Sequence, residues 1–181
     1  QMKDIPFKDV VIHGLVRDSQ GRKMSKTLGN GVDPIEVIDK YGADALRFSV
    51  ISGTTVGNDI KYMPEKLEQA SNFANKIWNA AKFIINNLSS KEEIMEFCKD
   101  VKANKAELKI EDKWILNKLN ELIITVTKNI EEYDLGIALD NIYGFIWNEF
   151  CDWYIEIVKS RLYSEDKSEK IKVSFVLNKV F

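Results

Sequence analysis

The chain has 181 residues, 45% of them hydrophobic and 30% charged, and a net charge of −2. That is the composition of one folded domain or two small ones, not of a disordered or collagen-like chain, and no apolar run approaches the ~20 residues that a membrane-spanning helix needs. One histidine, His13, and two distant cysteines, Cys98 and Cys151, exclude an ordinary four-ligand zinc site, and the cysteines read as reduced thiols of a cytoplasmic protein.

At the start, Lys3, Asp4, Lys8 and Asp9 leave no apolar core for a signal peptide. Residues 7–16 carry a β-branched run without helical period and predict a strand. Asp18-Ser19-Gln20-Gly21 is a turn signal, after which Arg22 to Leu28 returns as the second arm of a hairpin and closes at Gly29-Asn30-Gly31. Asp33-Pro34-Ile35-Glu36 is a helix start: Asp as cap, Pro at the first helical position, Glu three residues after the cap. That helix stops at Gly42, a second occupies Ala43–Ile51, and Thr54 to Tyr62 is a loop with room for a short strand.

From Pro64 onward the pattern is helical. Leu67, Ala70, Ala74, Ile77, Ala81, Ile84 and Leu88 are spaced three and four apart, an apolar stripe that packs on partners. Leu116, Leu119, Ile123, Val126 and Ile130 repeat the spacing in a second long helix capped near Asp112. A third helix runs from about Leu135 to Leu162 through Leu139, Ile142, Ile146, Phe150, Trp153 and Ile157. Residues 89–109 are rich in lysine and glutamate, with one weak amphipathic stretch at Ile94, Met95 and Phe97. A fourth helix begins near Ser168 and is still apolar at Phe181, so the chain reads as a segment of a longer protein. An apolar face at Val176, Val180 and Phe181 is expected to be exposed and to favour self-association.

One segment does not read as packing. Between Arg17 and Lys26 stand four basic residues and one acid, in a chain that is otherwise slightly acidic. Two lysines three apart around Ser25, in a glycine-flanked loop, can converge on one polyanion, and a compact ammonium on a flexible stem can follow a phosphate as it moves. A solvated basic hairpin tip is the competing reading. A phosphate loop of the G-x-x-x-x-G-K-[ST] type is excluded, because Ser25 stands where its second glycine must be.

Lys23-Met24-Ser25-Lys26-Thr27 resembles the KMSKS signature of class I aminoacyl-tRNA synthetases, with Thr27 in place of the last serine. The resemblance extends from His13-Gly14-Leu15 through Leu28-Gly29-Asn30, Val32-Asp33-Pro34 and Tyr41-Gly42-Ala43-Asp44-Ala45-Leu46-Arg47-Phe48, and so reaches the valine, isoleucine and leucine group. Within that group, Ser52-Gly53-Thr54, Asn72-Phe73-Ala74-Asn75-Lys76-Ile77-Trp78-Asn79-Ala80, Tyr133-Asp134-Leu135-Gly136 and the run from Phe145 to Glu156 are similar to the valyl-tRNA synthetases. It is weakest over residues 89–109 and 165–181.

The resemblance implies valine activation by ATP followed by transfer to tRNA(Val), with ATP as a magnesium-accompanied substrate and no metal bound by this segment. It assigns Lys26 to the β/γ-phosphates with Lys23 assisting, Met24 and Ser25 to shaping the loop, Thr27 to the usual hydroxyl, and Gly21, Gly29 and Gly31 to the loop's flexible flanks. It implies a mainly α fold. Residues 1–62 would be the end of the catalytic domain, with the hairpin loop and a small α/β connecting fold that contacts the tRNA stem. Residues 63–181 would begin an antiparallel helical bundle that binds the anticodon. The nucleotide-binding sheet lies outside this segment, so the segment alone is expected to be inactive.

Asn72, Asn75, Lys76, Asn79 and Lys82 line the polar side of the first long helix, either as a solvated face or as contacts to tRNA backbone. Trp78, Trp114, Trp147, Trp153, Tyr143 and Tyr154 are either base-stacking platforms or core residues, and since most sit on or beside the apolar stripes core packing is expected. His13, beside Gly14 on its strand, is expected to pack or to support a site rather than to act as a catalytic base. Two alternatives stay open: a non-catalytic helical module that binds tRNA or protein and keeps a vestigial loop, and the equivalent segment of an isoleucine enzyme.

Overall fold

The computed structural model describes residues 4–102 and 107–181. In chain order the elements are β1 (Val16–Arg17), α1 (Pro34–Tyr41), α2 (Ala43–Ile51), β2 (Ile60–Lys61), α3 (Pro64–Asn87), α4 (Lys91–Lys102) and α5 (Ile110–Glu131). Then come α6 (Leu135–Gly144), a π-helical segment (Phe145–Tyr154), α7 (Ile155–Leu162) and α8 (Lys167–Val180). The fold is mainly α, as expected. Two compact units divide it.

The first unit comprises the residues up to Ser71 together with Thr127–Asp140. Its strand is shorter than the 7–16 expected and is partnered differently: β1 pairs in parallel with β2, Val16 opposite Ile60 and Arg17 opposite Lys61. The returning arm of the expected hairpin is reduced to a single antiparallel bridge, Arg17 to Lys23. A β-branched run becomes a strand only where neighbouring backbone supplies hydrogen bonds. Here that means Leu15 and Arg17, whose carbonyls accept from the N–H groups of Ile60 (2.9 Å) and Tyr62 (2.7 Å).

Gly14 is what allows this approach. A Cβ at that position would lie 1.8 Å from the Asn58 carbonyl oxygen. Helices α1 and α2 begin and end where the local signals put them. Asp33 caps α1 by accepting from the Ile35 N–H (2.8 Å), Pro34 opens it, and the Gly42 N–H closes it on the Ile38 carbonyl.

The second unit comprises Asn72–Val126 and Asn141–Phe181. Its core gathers Ile84, Ile94, Ile115, Phe145, Phe150, Tyr154, Val158, Leu162 and the Val173–Leu177 run of α8. Five consecutive buried residues make α8 a central helix, so of the exposed face expected there only Phe181 is exposed. Val176 is fully buried, Val180 packs on the core, and the Phe181 ring stacks on Phe150 at 6.4 Å.

Helix α4 fills part of the lysine- and glutamate-rich stretch and contains its weak amphipathic segment, with Ile94 buried and Phe97 packed on the core. Ser90 and Glu93 form a reciprocal capping box, Ser90 Oγ accepting from the Glu93 N–H and Glu93 Oε2 accepting from the Ser90 N–H. Asp112 is not the cap of α5. It sits inside the first turn and accepts from the Lys109 N–H at 3.2 Å.

The third predicted helix spans its expected length, but its buried face is rotated. The Ile155 N–H reaches back five residues to the Phe150 carbonyl, and the π segment widens each turn. The buried positions become Phe145, Phe150, Cys151, Tyr154, Ile155 and Val158, while Trp153 and Ile157 turn outward. A buried polar network fastens this helix to α5 and α8. Arg161 makes a two-pronged contact to Asp112 (2.9 and 2.8 Å) and also donates to Glu111 and Glu169, and the Tyr154 hydroxyl donates to Asp112 at 2.7 Å.

Candidate phosphate-binding loop and helical face

The four basic residues between Arg17 and Lys26 separate into two kinds. Arg17 pairs with Asp59 through its Nε, and Arg22 pairs with Asp18 at 2.8 Å. Lys23 and Lys26 are exposed, and neither enters an ion pair among the described residues. The charge that remains free to meet an anion is thus the two signature lysines.

The loop that carries them is closed by side chains on either flank. Asp18 Oδ1 accepts from the N–H groups of Gln20 (3.1 Å) and Arg22 (2.7 Å), and Oδ2 accepts from Asn30 Nδ2 at 2.9 Å. Asn30 in turn accepts the Ser25 N–H on its Oδ1 (2.9 Å) and donates to the Lys23 carbonyl (3.3 Å). Inside this frame the Ser25 hydroxyl accepts from the Leu28 N–H, and the Gly29 N–H closes a turn on the Lys26 carbonyl. Met24 and Ser25 are half-buried and Thr27 is exposed. Gly21 turns with φ +81°, a conformation that favours glycine.

The amide of Asn30 is the main cause holding the Asp18 carboxyl down at about 2. The Arg22 N–H and guanidinium add to it, and burial opposes them. Asp18 and Asn30 were not among the predicted site residues, although the turn signal at Asp18 and the Gly29-Asn30-Gly31 triplet marked where they stand.

His13 is exposed, not packed, and its Nδ1 lies 2.8 Å from the Gly14 carbonyl. Among the described residues no three His, Cys, Asp or Glu gather so as to hold a metal ion.

On α3, Asn72, Asn75, Asn79 and Lys82 are exposed, with Trp78 beside them at 67% exposure. Lys76 departs from this group. It is half-buried, its Nζ is paired with Asp152 and lies 3.9 Å from the centroid of the Trp147 ring. Trp147 also stacks on Tyr143 at 5.5 Å. Of the aromatics expected in the core, Tyr154 is buried and Trp114 packs against the core, whereas Trp78 and Trp153 are largely exposed. Cys151 is buried and Cys98 half-buried, both free, and burial pushes the Cys151 thiol up.

Comparison with known proteins locates the chain. Residues 1–63 match the family of class I tRNA synthetases (I, L, M and V), and residues 112–181 match the anticodon-binding domain of tRNA ligases. The valine–tRNA ligase of Clostridium tetani is 59% identical over 93% of this chain and 18% of its own length. That of Clostridium acetobutylicum is 56% identical over 99% and 20%. The chain therefore spans about a fifth of the length of the curated relatives it matches.

In fold it is similar to the LeuRS–tRNA–LeuAMS ternary complex of Agrobacterium radiobacter K84 (TM-score 0.66, 19% identity, 93% of this chain and 20% of that one). It is likewise similar to methionyl-tRNA synthetase of Mycobacterium tuberculosis with methionyl-adenylate (TM-score 0.63, 22% identity, 91% and 31%). On these matches the chain belongs to the class I aminoacyl-tRNA synthetases, as a segment matching the valine–tRNA ligases.

Proposed function

We propose that this chain supplies a valine–tRNA ligase with the loop that grips ATP during amino-acid activation and with part of the helical surface that binds tRNA(Val). In the first step the valine carboxylate attacks the α-phosphate, and pyrophosphate leaves. In the second, the adenylate acylates the tRNA. Lys26 neutralises the charge that grows on the β- and γ-phosphates, and Lys23 assists from three residues away. Preorganised cations aimed at a developing anion act most strongly in the transition state. Met24 and Ser25 hold the loop's shape, and Thr27 offers the hydroxyl at its tip.

Residues 1–62 act as the end of the catalytic domain and 63–181 as the start of the anticodon-binding domain, in a cytoplasmic enzyme. Asn72, Asn75, Asn79 and Lys82 face tRNA backbone. Lys76, tied to Asp152, serves that surface by holding its scaffold. The observation that carries the reading is the pair of exposed, unpaired lysines on a loop whose other cations are neutralised.

The test is Lys26→Ala in the full-length ligase that contains this segment. The valine-dependent ATP–pyrophosphate exchange rate is expected to fall roughly 10²–10³-fold while the KM for valine changes little. An unchanged rate removes the assigned role.

A further inference from the structure

The two lysines are placed by a device that the signature itself does not contain. Asn30 lies beyond the signature and Asp18 before it, twelve residues apart, and the amide of one meets the carboxylate of the other at 2.9 Å. Asn30 uses every polar atom of its side chain on the loop's frame. Its oxygen takes the Ser25 N–H, and its nitrogen gives to Asp18 and to the Lys23 carbonyl. Asp18 uses both oxygens likewise, on Gln20, Arg22 and Asn30, and is buried. The backbone of both Lys23 and Ser25 is thereby fixed from one side chain, while the ammonium groups of Lys23 and Lys26 stay in solvent.

Asp18 is itself anchored at the base of the loop, next to Arg17, which pairs with Asp59 on the run into β2. We infer that Asp18 and Asn30 act as one positioning clamp, closing the two ends of the signature loop so that Lys23 and Lys26 are presented together to the triphosphate.

The clamp rests on the reading proposed above, that these lysines meet the phosphates, yet it is separable from it. Asn30 touches no reacting group in that reading, and it acts through where it holds Lys23 and Ser25. Misplacing a positioned group by about 1 Å can cost on the order of 10²-fold in rate. The pair also has an exacting chemistry. An amide must stand opposite the carboxylate, because an aspartate at position 30 would bring two carboxylates within the same 2.9 Å and would lose the donor to Lys23. Two carboxylates so close keep one proton between them more readily than either would alone. The charged groups facing the pair are Arg22, Arg17 with its partner Asp59, and Lys61, whose chain ends beside Gly21.

Two variants and two readouts test the clamp. In the 181-residue chain, Asn30→Ala is expected to speed hydrogen exchange at the Ser25 amide at least tenfold. In the full-length ligase it is expected to lower kcat/KM for ATP by about 10–100-fold, with the KM for valine unchanged. Asn30→Asp is expected to be slow at pH 8 and to recover as the pH falls toward 6, a profile the parent enzyme lacks. Unchanged exchange at Ser25 would show that no clamp exists. Faster exchange with unaltered ATP kinetics, or an Asn30→Asp profile parallel to the parent's, would equally overturn the inference. If Lys26→Ala is harmless, the reading of the lysines fails. If Lys26→Ala is crippling and both Asn30 variants are normal, only the clamp fails.

Discussion

Gly14 stands where two backbones come closer than any side chain permits. Its missing Cβ would lie 1.8 Å from the Asn58 carbonyl oxygen and 2.7 Å from the Asp59 nitrogen, so Gly14→Ala forces the two-stranded pairing apart instead of merely crowding it. Overpacking of this kind costs about 1–3 kcal/mol where a site can relax, and backbone against backbone relaxes poorly. The expected result is a loss of protection at the Ile60 and Tyr62 amides, which donate to Leu15 and Arg17, by at least ~30-fold in hydrogen exchange. Unaltered protection there would mean that the pairing does not depend on Gly14. A single residue's role was legible in the sequence where its partner is two or three positions away, as with Asp33 on Ile35. It was hidden where the partner arrives by the fold, as with Gly14 on Asn58 or Asp18 on Asn30.

The same division governs whole elements. Helices α1 and α2 were legible to the residue because cap, proline and glycine act within one turn. Helix α4 shows in the sequence only as a weak amphipathic stretch, because few apolar residues stand among its lysines and glutamates, although Ser90 and Glu93 write the capping box in plain spacing. The buried face of the helix running to Leu162 was misread for a different reason. Spacing of three and four presumes an α-helical turn, and the π segment from Phe145 to Tyr154 changes the period without altering the composition.

Once that face is rotated, Tyr154 and Arg161 point at Asp112. This network adds to the apolar packing of Ile115, Leu116 and Leu119 of α5 on the same core, while Ile123 and Ile130 of the expected stripe are exposed. Asp112 is fully buried and Arg161 nearly so, which sets the expected energetics. Arg161→Met should cost about 3–5 kcal/mol in urea unfolding because it strands a buried carboxylate. Combining it with Asp112→Leu should recover much of that loss, since the stranded charge goes with it. A double variant no better than the single one would place the cost in packing.

At the scale of the whole molecule, net charge is −2 and says little about acid stability. What matters is which carboxylates each unit holds ionised. In the first unit Asp18 is drawn down to about 2, by Asn30 first. In the second, Glu169 is drawn from an ordinary 4.5 to about 2, by Lys109 first and then by Lys172 and Arg161, burial opposing both shifts. A carboxyl with a depressed folded value binds fewer protons folded than unfolded. Its contribution is therefore complete above the unfolded value and disappears as the pH falls through the folded one.

For Glu169 that window runs from about 4.5 down to about 2. The opposite edge belongs to Cys151, whose thiol burial pushes up from 9.0, so its contribution is whole below about 9 and is lost as the pH rises further. All four tryptophans, Trp78, Trp114, Trp147 and Trp153, lie in the second unit, so urea unfolding followed by tryptophan fluorescence reads that unit by itself. As far as these two groups act, the midpoint should hold level between about pH 5 and 9. It should then fall steeply toward pH 2. Glu169→Gln should lower the level stretch and converge on the parent curve as the pH falls through about 2, where the parent's carboxyl is itself becoming neutral. Two curves that stay parallel down to that pH would mean that Glu169 is not the group whose protonation loosens the bundle.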